Sequence, residues 1–374
     1  MNMMWNRRRN IISFAALALG GAICSCTGYI PDEEKALGKV YLSAVVNEQP
    51  GTRSGVFEGS IPSESNPLVV DVWASTTQWV YEHIGGNNGT AGQSSVNYHT
   101  YAKFHSSEPQ LLGEAVYPAN KNDVFFVAFH PKSEGDETWE RSSSPYESAK
   151  FTFDGNDDVM FSAQVQGKYA DNHASQISSA PTFTFNHLLT WLKINIKAED
   201  EMVVDAWGKL KDVKLLNSNE TVTITLAEND HGTAVFSNPV DFEIFSNKDD
   251  GEFPSSEGYT LEYGGEHREV AYVLCAPVEG TTHKTVDAID LPSEEYTLLI
   301  ETEKRKVILP VDLRKNAMVG GDYKAAAYTG STAGRHFTIN LTFKMGNSIA
   351  VSAMVQDWEL GGVGSAILDP YPAK

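Results

Sequence analysis

The sequence is poor in cysteine. Three of its 374 residues are cysteines, and two of these, Cys24 and Cys26, lie close to the N-terminus. The third, Cys275, lies in the apolar run REVAYVLCAPV, with no cysteine-hydrolase signature around it. A single cysteine in the body of the chain excludes a disulfide framework. We therefore predict that Cys275 is a small buried residue.

Positive charge is also scarce. The chain has 29 Lys and Arg against 49 Asp and Glu, which gives a net charge of −20. An acidic surface of this kind repels nucleic acid and anionic lipid, and it favours solubility. We expect no nucleic acid among its partners.

Signatures of catalysis are missing. The ten histidines are scattered without an HExxH pair, and no GxSxG, phosphate-binding glycine loop or kinase signature occurs. The acidic loop EGDETWER (134–141) surrounds Trp139 with carboxylates, but proximity in sequence does not make a glycosidase pair. We predict that the protein is not an enzyme and needs no cofactor.

One segment is partly similar to a calcium loop. FDGNDDV places Asp154, Asn156 and Asp158 at alternate positions, but Val159 and Val165 stand where such a loop needs glycine and glutamate. We predict a solvated turn here and no metal site. His187, in the apolar segment FNHLLTW, is likewise predicted to be a buried histidine with one hydrogen-bond partner.

The N-terminus has the pattern of a bacterial export signal. Arg7, Arg8 and Arg9 precede a short apolar stretch that ends in Ile23-Cys24-Ser25-Cys26. Such a lipobox predicts cleavage before Cys26 and lipidation of its sulfur. The alternative is an ordinary cleaved signal with two incidental cysteines.

Most apolar runs alternate with period two, which is typical of strands with one buried face. In RHFTINLTFK, Phe337, Ile339, Leu341 and Phe343 share one face. Similar runs occur at 68–75, 123–130, 221–226, 269–278, 296–302, 306–313 and 348–358, separated by clusters of Gly, Ser, Asn and Asp. These patterns predict an all-β fold of antiparallel β-sandwiches, with no solenoid repeat.

Helix is scarce in this prediction. The best helical candidate is HLLTWLK (187–193), and 198–210 is predicted to form a turn or bulge. The length of the chain suggests two domains. We place a signal peptide at 1–25, a propeptide at 26–53, an N-terminal domain at 54–198 and a C-terminal domain at 199–374.

The first strand-like run is followed by an isolated arginine. KVYLSAVV (39–46) is apolar on both faces, as in a covered, central strand, and carries Val40, Leu42, Ala44 and Val46 on one of them. Arg53 lies in the polar stretch that follows this run in the sequence. Cleavage after Arg53 by an arginine-specific protease would detach the strand and leave an apolar groove that accepts a strand from another molecule. The alternative is a plain surface arginine.

Several segments, in this order, resemble the fimbrillin-like family of pilus subunits of Bacteroidales, which includes the major fimbrial and Mfa-like subunits. They are the lipobox, KVYLSAVVNEQPGTRSG, NDVFFVAFHP, FTFNHLLTWLKINIK with WGKLKDVKLLN, and INLTF…AVSAMVQDWELGG.

The resemblance implies two transthyretin-like β-sandwich domains and a lipoprotein precursor in the outer membrane, anchored by an acyl chain such as palmitate. It implies arginine-specific trimming, strand exchange with other pilus subunits, and a fimbrium for adhesion. The donor strand would lie near 348–358, with Ile349, Val351, Ala353 and Val355 as candidate residues, and could include the tail GGVGSAILDPYPAK.

Stalk, anchor and tip roles stay open, as does the adhesion ligand. The main alternative is a monomeric surface glycan-binding lipoprotein that stacks sugars on Trp73, Trp79, Trp139 or Trp207. Core packing explains Trp73 and Trp207 more simply, which leaves Trp79 and Trp139 open. A secreted hydrolase is the weakest alternative.

Overall fold

The computed structural model describes residues 39–46, 67–81, 97–105, 110–133, 139–142, 147–169, 180–246, 258–278, 283–286, 289–292, 296–311, 317–319, 322–323, 332–357 and 371–372. These residues are almost entirely β-structure, which confirms the all-β prediction. The strands are β1 (Lys39–Val46), β2 (Leu68–Ser75), β3 (Asn97–Phe104), β4 (Gln110–Val116), β5 (Val124–His130), β6 (Glu140–Arg141), β7 (Ser148–Thr152), β8 (Met160–Gly167), β9 (Thr182–His187), β10 (Thr190–Ala198), β11 (Leu210–Thr225), β12 (Ala234–Glu243), β13 (Phe245–Ser246), β14 (Arg268–Cys275), β15 (His283–Val286), β16 (Ile289–Pro292), β17 (Tyr296–Thr302), β18 (Lys306–Val311), β19 (Ala317–Val319), β20 (Asp322–Tyr323), β21 (Arg335–Phe343), β22 (Ile349–Asp357) and β23 (Tyr371–Pro372). Within the described ranges the one α-helix is α1 (Glu201–Trp207), and a 3₁₀ turn covers Met345–Asn347.

The first sheet has seven strands in the order β3-β2-β5-β8-β9-β1-β4. Its strands are rich in β-branched and aromatic residues, which fit a pleated and half-buried surface. One face covers a core that includes Val70, Val72, Phe126, Phe183 and Phe185, all fully buried. This sheet contains β1, the strand that is predicted to be removable.

Two further sheets enclose a second and larger core. One has the order β13-β14-β10-β21-β22-β19-β20, and the other has β23-β18-β17-β11-β7-β6 with β12 paired to β11. Phe337, Ile339, Leu341 and Phe343 of β21 are fully buried in this core, as their alternation predicts. Trp73 of β2 belongs to the same cluster, so the opposite face of the first sheet continues into it.

The sheets are mixed. β1 runs parallel to β9, β10 to β21, and β19 to β22, whereas the other strand pairs of the described residues are antiparallel. Alternation in a sequence defines the faces of a strand and carries no information on its direction. The antiparallel prediction is therefore right for most ladders and wrong for these three.

The helical prediction for 187–193 is wrong, because His187 ends β9, two residues connect the strands, and β10 begins at Thr190. In β10, which is nine residues long, the alternating residues Leu192, Ile194 and Ile196 point toward the core. The predicted helix ended at residue 193 and therefore included too little of this alternation to reveal it. The segment 198–210, predicted as a turn or bulge, contains α1 instead. The Asp200 side chain accepts a hydrogen bond from the Val203 amide at 3.0 Å and so begins the helix.

The predicted boundary between residues 198 and 199 is crossed by hydrogen-bonded ladders. β10 precedes it and pairs with β14 and β21, and β7 precedes it and pairs with β11. The ranges 54–198 and 199–374 stay a prediction, and strands from before the boundary complete both sheets of the second core.

β12 lies beside the long strand β11. The register shifts between Leu215 and Ser218, and Asn217 has a φ of 52°. In β12 itself, Asn238 has a φ of 62° and is followed by Pro239. β11 is the one strand that pairs with β12 in the described parts of the chain.

Candidate functional site

β1 divides its backbone pairing between two neighbours. Its first half is antiparallel to β4, with Leu42 opposite Gln110. Its second half is parallel to β9, from Ser43 opposite Thr182 to Val46 opposite Phe185. We call the space between β4 and β9 that β1 occupies the β1 slot. The strand thus completes two ladders, and both lose their partner without it.

Of the described side chains of β1, those of Leu42 and Ala44 point into the first core. Leu42 is 1% exposed and Ala44 is 0% exposed. Ala44 pairs with Phe183, and the rings of Phe183 and Phe185 lie 5.9 Å apart beside it. Burial of a leucine side chain contributes roughly 1.5–3 kcal/mol, so the burial of Leu42 stabilises β1 in the β1 slot.

Ser43 adds polar contacts on the other side of β1. Its hydroxyl shares a hydrogen bond of 2.6 Å with the Thr182 hydroxyl, and its amide donates to the Pro181 carbonyl at 3.1 Å. These bonds fix the register of β1 against β9, because a slip of one residue would separate the two hydroxyls. Of the predicted removable residues, Leu42 and Ala44 line the core. The side chains of Val40 and Val46 lie outside the described part.

The candidate donor strand, β22, is packed in its own chain. It pairs with β21 over nine residues, from Ile349 opposite Phe343 to Asp357 opposite Arg335. Ile349 and Val351 are fully buried. Ala353 lies opposite Ile339 and Val355 opposite Phe337, while their side chains are outside the described part. On its other edge, β22 meets β19 at two described pairs, Ala317 with Ala353 and Met318 with Met354.

Two further predicted sites lie outside the described residues. Cys26, the predicted lipidation site, precedes β1 in the sequence, and Arg53, the predicted cleavage site, follows it. Their roles stay predictions.

The partial calcium motif is divided among other contacts. Asp158 is buried and contacts Nδ1 of His187 at 2.8 Å, so the prediction of a buried histidine with a partner is confirmed. Asn156 accepts a hydrogen bond from the Tyr272 hydroxyl at 2.5 Å. No group of three or more His, Cys, Asp or Glu side chains within the described ranges could hold a metal ion.

The tryptophans considered for sugar stacking do not form an exposed platform. Trp73, Trp139 and Trp207 are 2%, 3% and 0% exposed. The sequence leaves Trp139 open because its neighbours are polar, but its indole packs on Phe129 and donates a hydrogen bond to the Pro131 carbonyl at 2.9 Å. Trp79 is half-buried against the His231 ring, 4.6 Å between centroids.

Two further side chains in the sheet of β10 are buried. Cys275 is buried, as expected, and its thiol donates a hydrogen bond to the Thr190 carbonyl at 3.6 Å. His336 of β21 stacks on Trp191 with 4.3 Å between ring centroids, on the face of the strand opposite to Phe337. Burial lowers the pKa of His336 to about 3, and the charge of Lys193 adds to this effect.

Among the described residues, no helix is long and apolar enough to cross a membrane.

The sequence did not single out the residues that receive β1. Thr182, Phe183 and Phe185 lie in the alternating run TFTFNH, which is as clear a strand signal as many of those used. This run pairs in parallel with a strand well over a hundred residues earlier. No pattern within the run itself indicates that pairing.

The chain belongs to the fimbrillin-like family, whose model matches residues 70–358. Among similar solved structures is a fimbrial protein from Bacteroides vulgatus, with 14% identity and a TM-score of 0.45, covering 85% of this chain and 99% of that one. The fimbrial anchor protein Mfa2 from Porphyromonas gingivalis has 11% identity and a TM-score of 0.39, covering 88% of this chain and 100% of that one. The tip fimbrial protein Mfa3 of the same organism has 14% identity and a TM-score of 0.34, covering 86% and 100%. No curated protein matches the sequence.

Proposed function

We propose that the protein is a non-enzymatic fimbrial subunit that joins its neighbours by strand exchange and serves in cell adhesion. The observation that carries this proposal is the position of β1. It is inserted between β4 and β9 with Leu42 and Ala44 buried, yet the polar stretch with Arg53 is what links it to the rest of the chain. Membership of the fimbrillin-like family supports the same conclusion.

The physical basis of assembly is the state left after β1 departs. Cleavage after Arg53 turns β1 into a separate peptide that can leave the β1 slot. The edge of β9 then presents unpaired N–H and C=O groups, and the pocket of Leu42 is open to water. Both defects are removed when a strand of a neighbouring subunit enters the slot.

In the proposed processing, the protein is first exported as a precursor. Acylated Cys26 attaches it to lipid of the outer membrane, and an arginine-specific protease releases it at Arg53 into the fimbrium at the cell surface. A subunit that escapes cleavage keeps β1 in its own slot and acts as an anchor or tip. Cleavage at Arg53 therefore separates a stalk role from the other two.

The glycan-binding alternative is weakened by the burial of its aromatic candidates. Of the four tryptophans considered for stacking, three are in the core. Trp79, the fourth, packs against His231. We therefore do not favour a sugar platform built on these residues.

The test uses the chain from Thr27 onward, which contains every described residue. We expect an arginine-specific protease to convert it into SDS-resistant ladders, which gels and size-exclusion chromatography detect. Arg53→Ala should stay monomeric, whereas Arg141→Ala, the matched control at the next arginine, should assemble. A chain that is cut after Arg53 and stays monomeric would contradict the stalk role.

A further inference from the structure

The turn between β11 and β12 (residues 226–233) packs against the first sheet through His231. The centroid of the His231 ring lies 4.6 Å from that of Trp79 and 5.8 Å from that of Phe161. Trp79 follows β2 and Phe161 belongs to β8, both in the first sheet, whereas β11 and β12 enclose the second core. His231 therefore lies where these two parts of the molecule meet.

Both nitrogens of the His231 ring form hydrogen bonds, and these bonds define its protonation state. Nδ1 lies 3.0 Å from the Leu226 carbonyl oxygen, which can only accept, so Nδ1 carries a hydrogen. Nε2 accepts a hydrogen bond from the backbone amide of Gln164 at 3.2 Å and therefore carries none. The contact requires the neutral ring, because a proton on Nε2 would point at the Gln164 N–H group and break the bond.

Gln164 of β8 connects this histidine to the segment that contains Trp79. Its backbone amide donates to His231, and its side-chain amide donates to the hydroxyl of Tyr81, which is buried. Loss of the bond to His231 leaves the bond to Tyr81 intact. The turn can therefore separate from β8 while the first sheet stays in place.

The turn has a backbone that permits one close contact with the first sheet. Asp230 and Gly232 have left-handed φ values of 61° and 81°. A Cβ at Gly232 would lie 3.1 Å from the Phe161 ring, so a larger residue would push the turn away. Within the turn, the Gly232 amide donates to the Thr225 carbonyl at 2.8 Å and the Thr233 amide to the Asp230 carbonyl at 2.9 Å. These two bonds do not involve the first sheet, so they can persist when its contact is lost.

The acidic groups around His231 form no ion pair with it in the described parts of the chain. The titratable groups on the elements packed around it are Glu228 and Asp230 of its own turn, Glu147 before β7, Asp123 beside β8, and the buried Tyr81 hydroxyl. Burial lowers the pKa of His231, and the bond to the Leu226 carbonyl opposes this effect in part. The closed turn therefore resists protonation of the ring.

We propose that His231 is a pH-sensitive latch, which holds the turn 226–233 against the first sheet at neutral pH and releases it in mild acid. In the closed state the neutral ring accepts from Gln164. In the open state the ring is in water and binds a proton at Nε2. Release also removes the ring contacts of Trp79 and Phe161. The latch goes beyond strand exchange and does not depend on it, because none of its residues belongs to β1, β4 or β9.

The direction of the pH dependence follows from the proton that opening takes up. In the open turn the pKa of His231 returns to its ordinary value of 6.5, above that of the closed turn. The open fraction therefore stays at its minimum above pH 6.5 and grows as the pH falls below that value. The growth is at most about tenfold per pH unit, and it ends at the lowered pKa of the closed turn.

Hydrogen exchange of the uncleaved chain from Thr27 onward measures this opening. Protection factors, corrected for the pH dependence of intrinsic exchange, are compared at pH 7.5 and pH 5.5 for the amides of Gln164, Gly232 and Thr233. We expect all three to lose protection in acid, by up to about tenfold. Ladder formation is not part of this experiment, so its failure leaves the proposed function standing.

Three variants assign the response to the latch. His231→Gln keeps an acceptor that does not titrate in this range, so it should abolish the loss of protection at Gln164 that is due to the ring. Gly232→Ala should push the turn from Phe161 and lower protection at both pH values, with a smaller difference between them. His267→Gln, at another half-buried histidine with a lowered pKa, is the matched control and should respond as the wild type does.

Two results would overturn the latch. One is a wild-type chain whose Gln164 and turn amides are equally protected at both pH values. The other is an acid response of the same size in His231→Gln as in the wild type, which would assign the opening to other groups.

Discussion

β1 and β10 are both apolar strands inside a sheet, and each has one parallel neighbour. β10 pairs with β21 over all nine of its residues and with β14 along its other edge. In β1, each residue with a described partner pairs on one side, with β4 in the first half or with β9 in the second. Counted over the described residues, β1 therefore has about half of the backbone pairing that β10 has for a similar length.

This difference teaches that a buried strand need not be a permanent one. Leu42 is as well buried as Ile194, but among the described strand pairs β1 has fewer ladder partners than β10. Local opening follows the number of such supports. We expect β1 to open far below the free energy of global unfolding, and β10 to open with the whole second core.

The largest expected effect on the free energy of unfolding is that of a truncation in β10. Ile194→Ala removes a fully buried side chain at the centre of β10 and should lower the free energy of unfolding by about 2–5 kcal/mol. Denaturant unfolding measures this loss. Exchange of the amides of 39–46 should change little, and a parallel loss of protection in β1 would erase the contrast between the two strands.

A similar truncation in β1 should act locally. Leu42→Ala should reduce the free energy for opening of β1 by about 2 kcal/mol or more, because its pocket in the first core stays partly empty. Hydrogen exchange of 39–46 measures the change. Leu42→Met, which conserves volume, is the control. If global unfolding shifts as much as local opening, β1 is not a separable unit.

Acid should weaken the sheet of β10. The pKa of His336 is lowered from 6.5 to about 3 in the fold, so the unfolded chain binds more protons between these values. This contribution to stability is complete above pH 6.5 and is lost as the pH falls toward 3, by at most about 1.4 kcal/mol per pH unit. His336→Phe, which keeps a ring beside Trp191, should flatten the pH profile of unfolding.

The smallest effect concerns the hydroxyl pair beside the slot. Ser43→Ala should weaken the attachment of β1 by about 0.5–1.5 kcal/mol, since the Thr182 hydroxyl loses its partner. Combining it with Thr182→Val should restore most of the loss, because both hydrogen-bonding groups are then gone. The same exchange measurement on 39–46 reports both variants.

Much of the fold follows from alternation in the sequence. β1, β2, β17 and β21 begin and end within a residue of the predicted runs. Burial of Cys275 and His187 was also predictable, since Cys275 lies in an apolar run and His187 continues the buried positions of Phe183 and Phe185 in an alternating strand. These are local properties, and the sequence encodes them locally.

The partners of these strands were not predictable in the same way. The parallel ladder between β1 and β9 joins Ser43 to Thr182 across 139 positions. Trp139 was misleading for a related reason, because the aromatic residues that bury it come from β5 and β7. Direction, pairing and coverage are set by tertiary contacts that no single segment contains.

The irregularities of β12 bear on the proposed assembly by strand exchange. An open sheet edge can pair with any exposed strand, whereas regular assembly requires every copy to pair at the same edge. Pro239, which has no N–H, and the left-handed Asn238 before it interrupt the regular backbone of β12. In the proposed assembly, β12 would therefore accept an added strand poorly, and incoming strands would be directed to the β1 slot.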